Sequence, residues 1–256
     1  MDTCKFCLKK RKLVKAHIIP RAFFEAIKEG NVNIRALKLK GVTNSKDRFP
    51  IKYTTKGFYD PNLVCLGCEQ SFGAWDDYGI KMLLKQQGSH VTRYKGRKLV
   101  AWQIVDYDYE RVMLFFLSIL WRAGNSELKE FEKVKLGPYS DMAKVALSAH
   151  NPDKVEGFSV FLARFEEGPG RNIIMDPYLD RANFHGLNIY HFHLGAGYIL
   201  YAKVDKRPLP EDFENLKVTL SNFYILNRGR FEESKDLDVV LKVYDDAEAL
   251  VKSWKT

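Results

Sequence analysis

The rhythm of hydrophobic and polar positions changes twice along this chain. Up to residue 68, apolar residues come in short groups broken by charge and turn formers. This predicts a short helix over 23–28 closed by Gly30, then loop and short strands over 31–58, punctuated by Gly41, Asn44 and Pro50. Beyond Cys68 the spacing becomes helical: Phe72, Trp75, Met82 and Leu83 recur on one face of EQSFGAWDDYGIKMLLKQQ. A helix is expected to start at or just after the knuckle of Cys65 and Cys68, weakened by Gly73 and Gly79. The strongest helical signal follows in DYDYERVMLFFLSILWRAGN, which Asp106 or Asp108 can cap and Gly124 with Asn125 can end. Its apolar run over 112–121 is nearly unbroken, so this helix should be buried on most sides and act as a spine.

After Gly137 and Pro138 a shorter helix is expected over 140–150. The period then drops towards two, and strands are predicted over 158–165, 187–194, 198–204 and 218–226. LNIYHFHL and GYILYAKV, joined around Gly195, Ala196 and Gly197, give the clearest hairpin signal. A last helix is expected over 247–254. The predicted class is α+β: a cysteine-bearing region over 1–100, then a mixed helix and antiparallel-sheet region over 101–256.

Composition narrows the role of the cysteines. A chain of 256 residues that is 46% hydrophobic can bury a real core, so it does not need the bridges that hold small secreted domains. The N-terminal MDTCKFCLKKRKLVK lacks the apolar centre of a leader peptide, and no apolar run approaches the ~20 residues of a membrane span. A reduced, cytoplasmic setting without a membrane partner is therefore expected. The four cysteines form two C-x2-C knuckles, Cys4 with Cys7 and Cys65 with Cys68, 57 residues apart. Two such pairs can close one tetrahedral Zn²⁺ and staple the chain between them. A redox pair or unconnected core thiols are the alternatives.

Charge separates the halves. The net charge is +9, but residues 1–100 hold 21 Lys and Arg against 8 Asp and Glu, whereas the remainder holds 20 against 24. The densest cluster, Lys9, Lys10, Arg11, Lys12 and Lys15 with Arg21 behind it, directly follows the first knuckle. Arg93, Lys95, Arg97 and Lys98 form a second. A one-sided basic field draws polyphosphates such as nucleic acid. The plainer reading is a solvated face. The acidic second half could recruit a protein partner.

CKFC, then KAHIIP, then NLVCLGCEQSFGAWDD together resemble the HNH nuclease family in its zinc-stapled branch, over about 80 residues from Cys4 to Tyr78. More loosely, VMLFFLSILWRAG and LGPYS look like stand-alone bacterial and phage HNH proteins of similar length. The resemblance implies a ββα-metal module and metal-dependent endonuclease activity, on DNA in preference to RNA, in prokaryotic defence or mobile-element biology. His17 matches the family's general base, a task that suits an imidazole with an unperturbed pKa of about 6.5; the alternative is a satisfied core histidine. Asn62 matches the middle Asn that positions the base, although aligning on the knuckles puts Asp60 there instead, and Asp60, Pro61 and Asn62 also read as an ordinary turn. Glu69 takes a metal-ligand position where many members carry histidine, which points to Mg²⁺ or Mn²⁺ as the catalytic ion. A carboxylate there also suits a helix N-terminus. Asp76 shares Glu69's helical face but lies about 10 Å along it, so it is expected on a water of that ion rather than on the ion. Ala16 and Gly73 depart from the family where other ligands commonly stand. The rival reading is a catalytically degenerate module that binds nucleic acid or recruits a partner. His191 and His193 alternate on a predicted strand and read as sheet residues rather than metal ligands.

Overall fold

A computed structural model describes residues 2–27, 35–37, 52–53, 57–85, 90–166, 168 and 173–237. Most of 31–58, Gly30 and the helix expected over 247–254 lie outside the described residues.

The first part of the chain runs through β1 (Asp2–Thr3), β2 (Lys10–Arg11), β3 (Leu13–His17), α1 (Arg21–Glu25), β4 (Arg35–Leu37), β5 (Lys52–Tyr53), β6 (Tyr59–Cys65) and α2 (Leu66–Leu83). It continues through β7 (His90–Lys95), β8 (Lys98–Ile104), α3 (Tyr109–Asn125), α4 (Tyr139–Ser148), β9 (Phe158–Arg164), β10 (Ile173–Met175), β11 (Tyr178–Leu179), β12 (Ile189–Gly195), β13 (Tyr198–Val204), α5 (Glu211–Glu214) and β14 (Tyr224–Asn227). The class is α+β. Among the described residues no helix is long and apolar enough to cross a membrane.

β3 pairs antiparallel with β6, with Leu13 opposite Cys65, Ala16 opposite Asp60 and His17 opposite Tyr59, and with a register shift between Val14 and Ala16. Cys65 ends β6 and is the N-cap residue of α2, so the helix starts at the second knuckle, as expected. α1 starts earlier than its apolar residues suggest, because Pro20, at φ −54°, leads straight into the first turn. Gly79, a weak point in sequence, has a packing reason: a Cβ there would lie 2.6 Å from the Phe115 ring, so glycine lets α2 lie close against α3.

α3 is the expected spine. The Asp108 carboxylate accepts from the Arg111 N–H at 3.0 Å, and every residue from Val112 to Ala123 is buried. The other large layer is a seven-stranded sheet in the order β11-β12-β13-β9-β14-β8-β7. Its centre is covered on both faces, since all of β12 and β13 is buried. Tyr190, Phe192, Leu194 and Leu200 face the core shared with α2 and α3, while Ile189, Ile199, Tyr201 and Phe161 face a second apolar layer. The β12–β13 hairpin turns at Ala196 (φ 51°) and Gly197 (φ 79°), the two left-handed positions of a type I′ turn.

Two features depart from the pattern reading. β14 joins β9 in parallel, so the sheet is not wholly antiparallel. The strand predicted over 218–226 shortens to Tyr224–Asn227, because Thr219 and Asn222 close a turn in which the Thr219 N–H donates to the Asn222 carbonyl at 2.8 Å. The division expected at residue 100 falls within the paired strands β7 and β8, both members of the large sheet.

Candidate functional site

The loop between β1 and β2 folds tightly around the first knuckle. Leu8 sits at φ 59°, its N–H donates to the Cys4 carbonyl at 2.9 Å, and the Cys4 N–H donates to the Lys9 carbonyl at 3.1 Å. The β6–α2 junction supplies Cys65 and Cys68. The sulfurs stand 3.7 Å apart for Cys4 and Cys68, 3.9 Å for Cys7 and Cys65, and 3.6 Å for Cys65 and Cys68, with all four within 4.8 Å of one another. These spacings far exceed the ~2.05 Å of a disulfide. They fit four thiolates on one ion, since ligands about 2.3 Å from a tetrahedral centre stand about 3.8 Å apart.

The four thiols are thus clustered at metal-binding distance, not scattered through the core. The Cys65 N–H points at Cys4 Sγ at 3.3 Å, which draws the two knuckles together. Burial pushes the Cys65 thiol up, but hydrogen bonds from the Cys68 backbone and the neighbouring thiols outweigh it and bring it down to about 7. Burial and the same neighbours drive Cys68 far upward. Acids that share a site split in this way, and a central cation removes the conflict. Among the described residues this is the one group of three or more ligating side chains whose donor atoms lie so close together.

Beside this cluster, the end of β3 is held from both sides. The His17 N–H donates to Glu69 Oε1, in the first turn of α2, at 3.4 Å. The His17 carbonyl accepts from Arg122 Nη1 of α3 at 2.7 Å. Arg122 is fully buried and spends its other donors on Asp76 Oδ2 (2.8 Å), Asp76 Oδ1 (2.6 Å), Ser118 Oγ (3.1 Å) and the Ser118 carbonyl (3.2 Å). All five guanidinium N–H groups are therefore used. The His17 ring is half-buried, with its centroid 6.1 Å from that of Tyr59. Glu69 Oε2 is buried with no hydrogen-bond partner. Burial raises the Glu69 carboxyl, helped by the Asp76 charge and opposed by Arg122.

His17, Glu69 and Asp76 thus meet at one junction, but both Asp76 oxygens belong to Arg122. Asn62 is not brought to His17. It is exposed on β6, three positions from Tyr59, and its N–H donates to Asp60 Oδ1 at 2.8 Å. Asp60, opposite Ala16, is buried and also accepts from Ser126 Oγ (2.8 Å) and the Glu127 N–H (2.9 Å), which fastens the chain leaving α3 to β6. Lys9, Lys10, Arg11, Lys12, Lys15 and Arg21 are all exposed. Lys15 Nζ lies 5.1 Å over the Tyr59 ring, next to His17, and Arg21 pairs with Glu25 at 2.7 Å.

Sequence reasoning missed Arg122. Its signal was a lone cation inside the apolar run of α3, which a buried helix can hold only if the charge is paired. His191 and His193 share one face of β12, with rings stacked 5.0 Å apart, and no third ligand joins them among the described residues. Compared with protein-family models, with curated proteins and with solved structures, the chain matches none.

Proposed function

We propose that the chain is a metal-dependent endonuclease that hydrolyses phosphodiester bonds in DNA, with its reactive centre at the junction of β3, β6 and α2. One observation carries this reading. Two antiparallel strands followed directly by a helix bring the His17 backbone and the Glu69 carboxylate to a single hydrogen bond, beside a four-cysteine cluster that ties the β1–β2 loop to the junction of β6 and α2. Zn²⁺ suits that cluster because four thiolates close a tetrahedral shell and leave no position for substrate, which makes the ion structural. In the reaction, the His17 imidazole takes the proton from an attacking water, the water oxygen bonds to phosphorus and a P–O bond of the backbone breaks. Glu69, whose Oε2 has no hydrogen-bond partner, would hold a Mg²⁺ or Mn²⁺ ion, which would stabilise charge on the phosphate and the departing oxygen. Asp76 acts through Arg122, which fixes the backbone that carries His17. Lys15 and the Lys9–Lys12 stretch supply the field that draws the backbone of the nucleic acid.

A second reading has its own support. With Asp76 committed to Arg122, Glu69 Oε2 is the one carboxylate oxygen of the junction left unpartnered, and a module with so sparse a metal shell can bind DNA without cutting it. Supercoiled plasmid incubated with the purified chain and Mg²⁺ or Mn²⁺, beside a His17→Ala control, separates the two. The nuclease reading expects relaxed or linear plasmid with wild type only. Binding without cutting under every divalent ion supports the second.

A further inference from the structure

The β7–β8 hairpin carries charge that its own fold does not use. A two-residue turn joins its strands; Gly96 sits at φ 62° while Arg97 is not left-handed, the pattern of a type II′ turn. This turn places Lys95 directly opposite Lys98, and like charges across a strand pair cost stability. No Asp or Glu occurs over residues 78–105. Among the described residues, no ion pair holds Lys95, Arg97 or Lys98. Arg93 differs, since its Nε donates to Gln103 Oε1 at 2.9 Å. Between them Tyr94 is 60% exposed.

β7 is the outer strand of the sheet, and cations on an outer strand discourage pairing with other chains. That accounts for Arg93 and Lys95. It does not account for Arg97 in the turn, for Lys98 on the inner strand or for a large aromatic ring left in solvent among them. The base of the hairpin lies by the far end of α2, where His90 sits near the Met82 backbone. From the cysteine end of α2 to that point is about 26 Å, at about 1.5 Å per residue. The hairpin is therefore separate from the basic stretch at the knuckle.

We propose that the tip of this hairpin, Arg93, Lys95, Arg97 and Lys98 around Tyr94, is a second contact for double-stranded DNA, gripping backbone phosphates away from the His17 junction. The choice of DNA over other polyanions rests on the function proposed above. The contact itself follows from the unpaired charge. A polyanion relieves the repulsion between Lys95 and Lys98, and bound phosphates release counterions in proportion to the cations they meet.

The test uses the full, zinc-loaded chain and a fluorescent 24-base-pair duplex, without added divalent metal so that cleavage plays no part. Affinity is measured across a range of salt concentrations. Replacing Arg93, Lys95, Arg97 and Lys98 together by Gln should raise Kd tenfold or more and flatten the salt slope by about 3.6, at about 0.9 per cation, since the bond to Gln103 leaves the Arg93 charge in place. Arg97→Gln with Lys98→Gln, which leaves the outer strand intact, should flatten it by about 2. Tyr94→Ala should weaken binding a few-fold with an unchanged slope. A wild-type chain that binds the duplex while the fourfold variant binds it equally well, with the same slope, overturns this proposal and leaves the nuclease reading standing. A wild-type chain that binds no duplex overturns both. Binding to phosphatidylserine vesicles or to polyglutamate as tight as to DNA, and lost in the same variant, overturns the assignment to DNA.

Discussion

The His17–Glu69–Arg122 junction and the His191–His193 pair both gather polar side chains in a largely apolar chain, and they differ in what can reach them. At the junction, a half-buried histidine ends a strand near the exposed Lys15, and its N–H meets a carboxylate whose other oxygen is buried without a partner. On β12, both histidines lie inside the second apolar layer, at 3% and 4% exposure. His191 Nδ1 meets the Tyr178 hydroxyl at 2.5 Å, its ring lies 4.7 Å from that of Tyr201 at a tilt of 38°, and the Nε2 atoms of both histidines are buried without partners. Burial lowers both histidines, with His193 falling to about 4, so the pair stays neutral and packs as aromatic rings. The comparison teaches that accessibility, more than residue type, separates a group able to work on water from one that serves the core.

The largest expected effect lies on the junction's side. Cys65→Ser should remove the bound metal and with it the packing of β1, β2, β6 and the start of α2, since metal binding in such a site is also folding free energy, about 10 kcal/mol or more in small zinc modules. Elemental analysis with circular dichroism would show about one zinc per wild-type chain and a partly unfolded variant. Unchanged folding without metal would leave the junction without its staple.

Next comes the clamp. Arg122→Met should cost about 2–4 kcal/mol, because it leaves the partly buried Asp76 carboxylate unpaired; adding Asp76→Leu should recover much of that. Urea unfolding of the single and double variants measures both. Equal losses in the two would show that Arg122 acts through packing alone.

On the other side of the comparison, the buried pair should make stability depend on pH. His193 is neutral in the folded chain, whereas the unfolded chain takes up a proton near 6.5. Its contribution is therefore full above pH 6.5 and is lost as pH falls towards about 4, amounting to roughly 3 kcal/mol. Arg228 opposes a charge there, and Asp236 favours one. His193→Leu should flatten the stability profile between pH 6.5 and 4. A profile with the same slope in that variant would place the acid sensitivity elsewhere.

The smallest effects separate two neighbours on β6. Asp60→Ala should cost about 1–3 kcal/mol, because it strands the donors of Ser126 and Glu127, whereas Asn62→Ala should stay within about 0.5 kcal/mol. If Asn62→Ala instead abolishes cleavage at unchanged stability, Asn62 takes part in the chemistry despite its exposed position.

What sequence could show follows from range. The knuckles were legible because C-x2-C spacing reports local geometry, and the β12–β13 hairpin because alternation and Gly197 sit side by side in the chain. α3 was legible from its unbroken apolar run. The β7–β8 hairpin was not, since HVTRYKGRK shows no apolar alternation and is fixed by β14, over a hundred residues away. Asp60 read as a turn residue because its partners follow α3, and Asp76 read as a metal neighbour because nothing local announces Arg122.

The most direct test of the central claim is the rate at which the zinc-loaded chain nicks supercoiled plasmid in Mg²⁺ or Mn²⁺, with DNA affinity and bound zinc measured on the same samples. His17→Ala should lower that rate at least 100-fold while affinity and zinc content stay near wild type, because the imidazole acts on water and contributes little to binding. Cleavage that persists in His17→Ala would contradict the account and move the chemistry away from the junction.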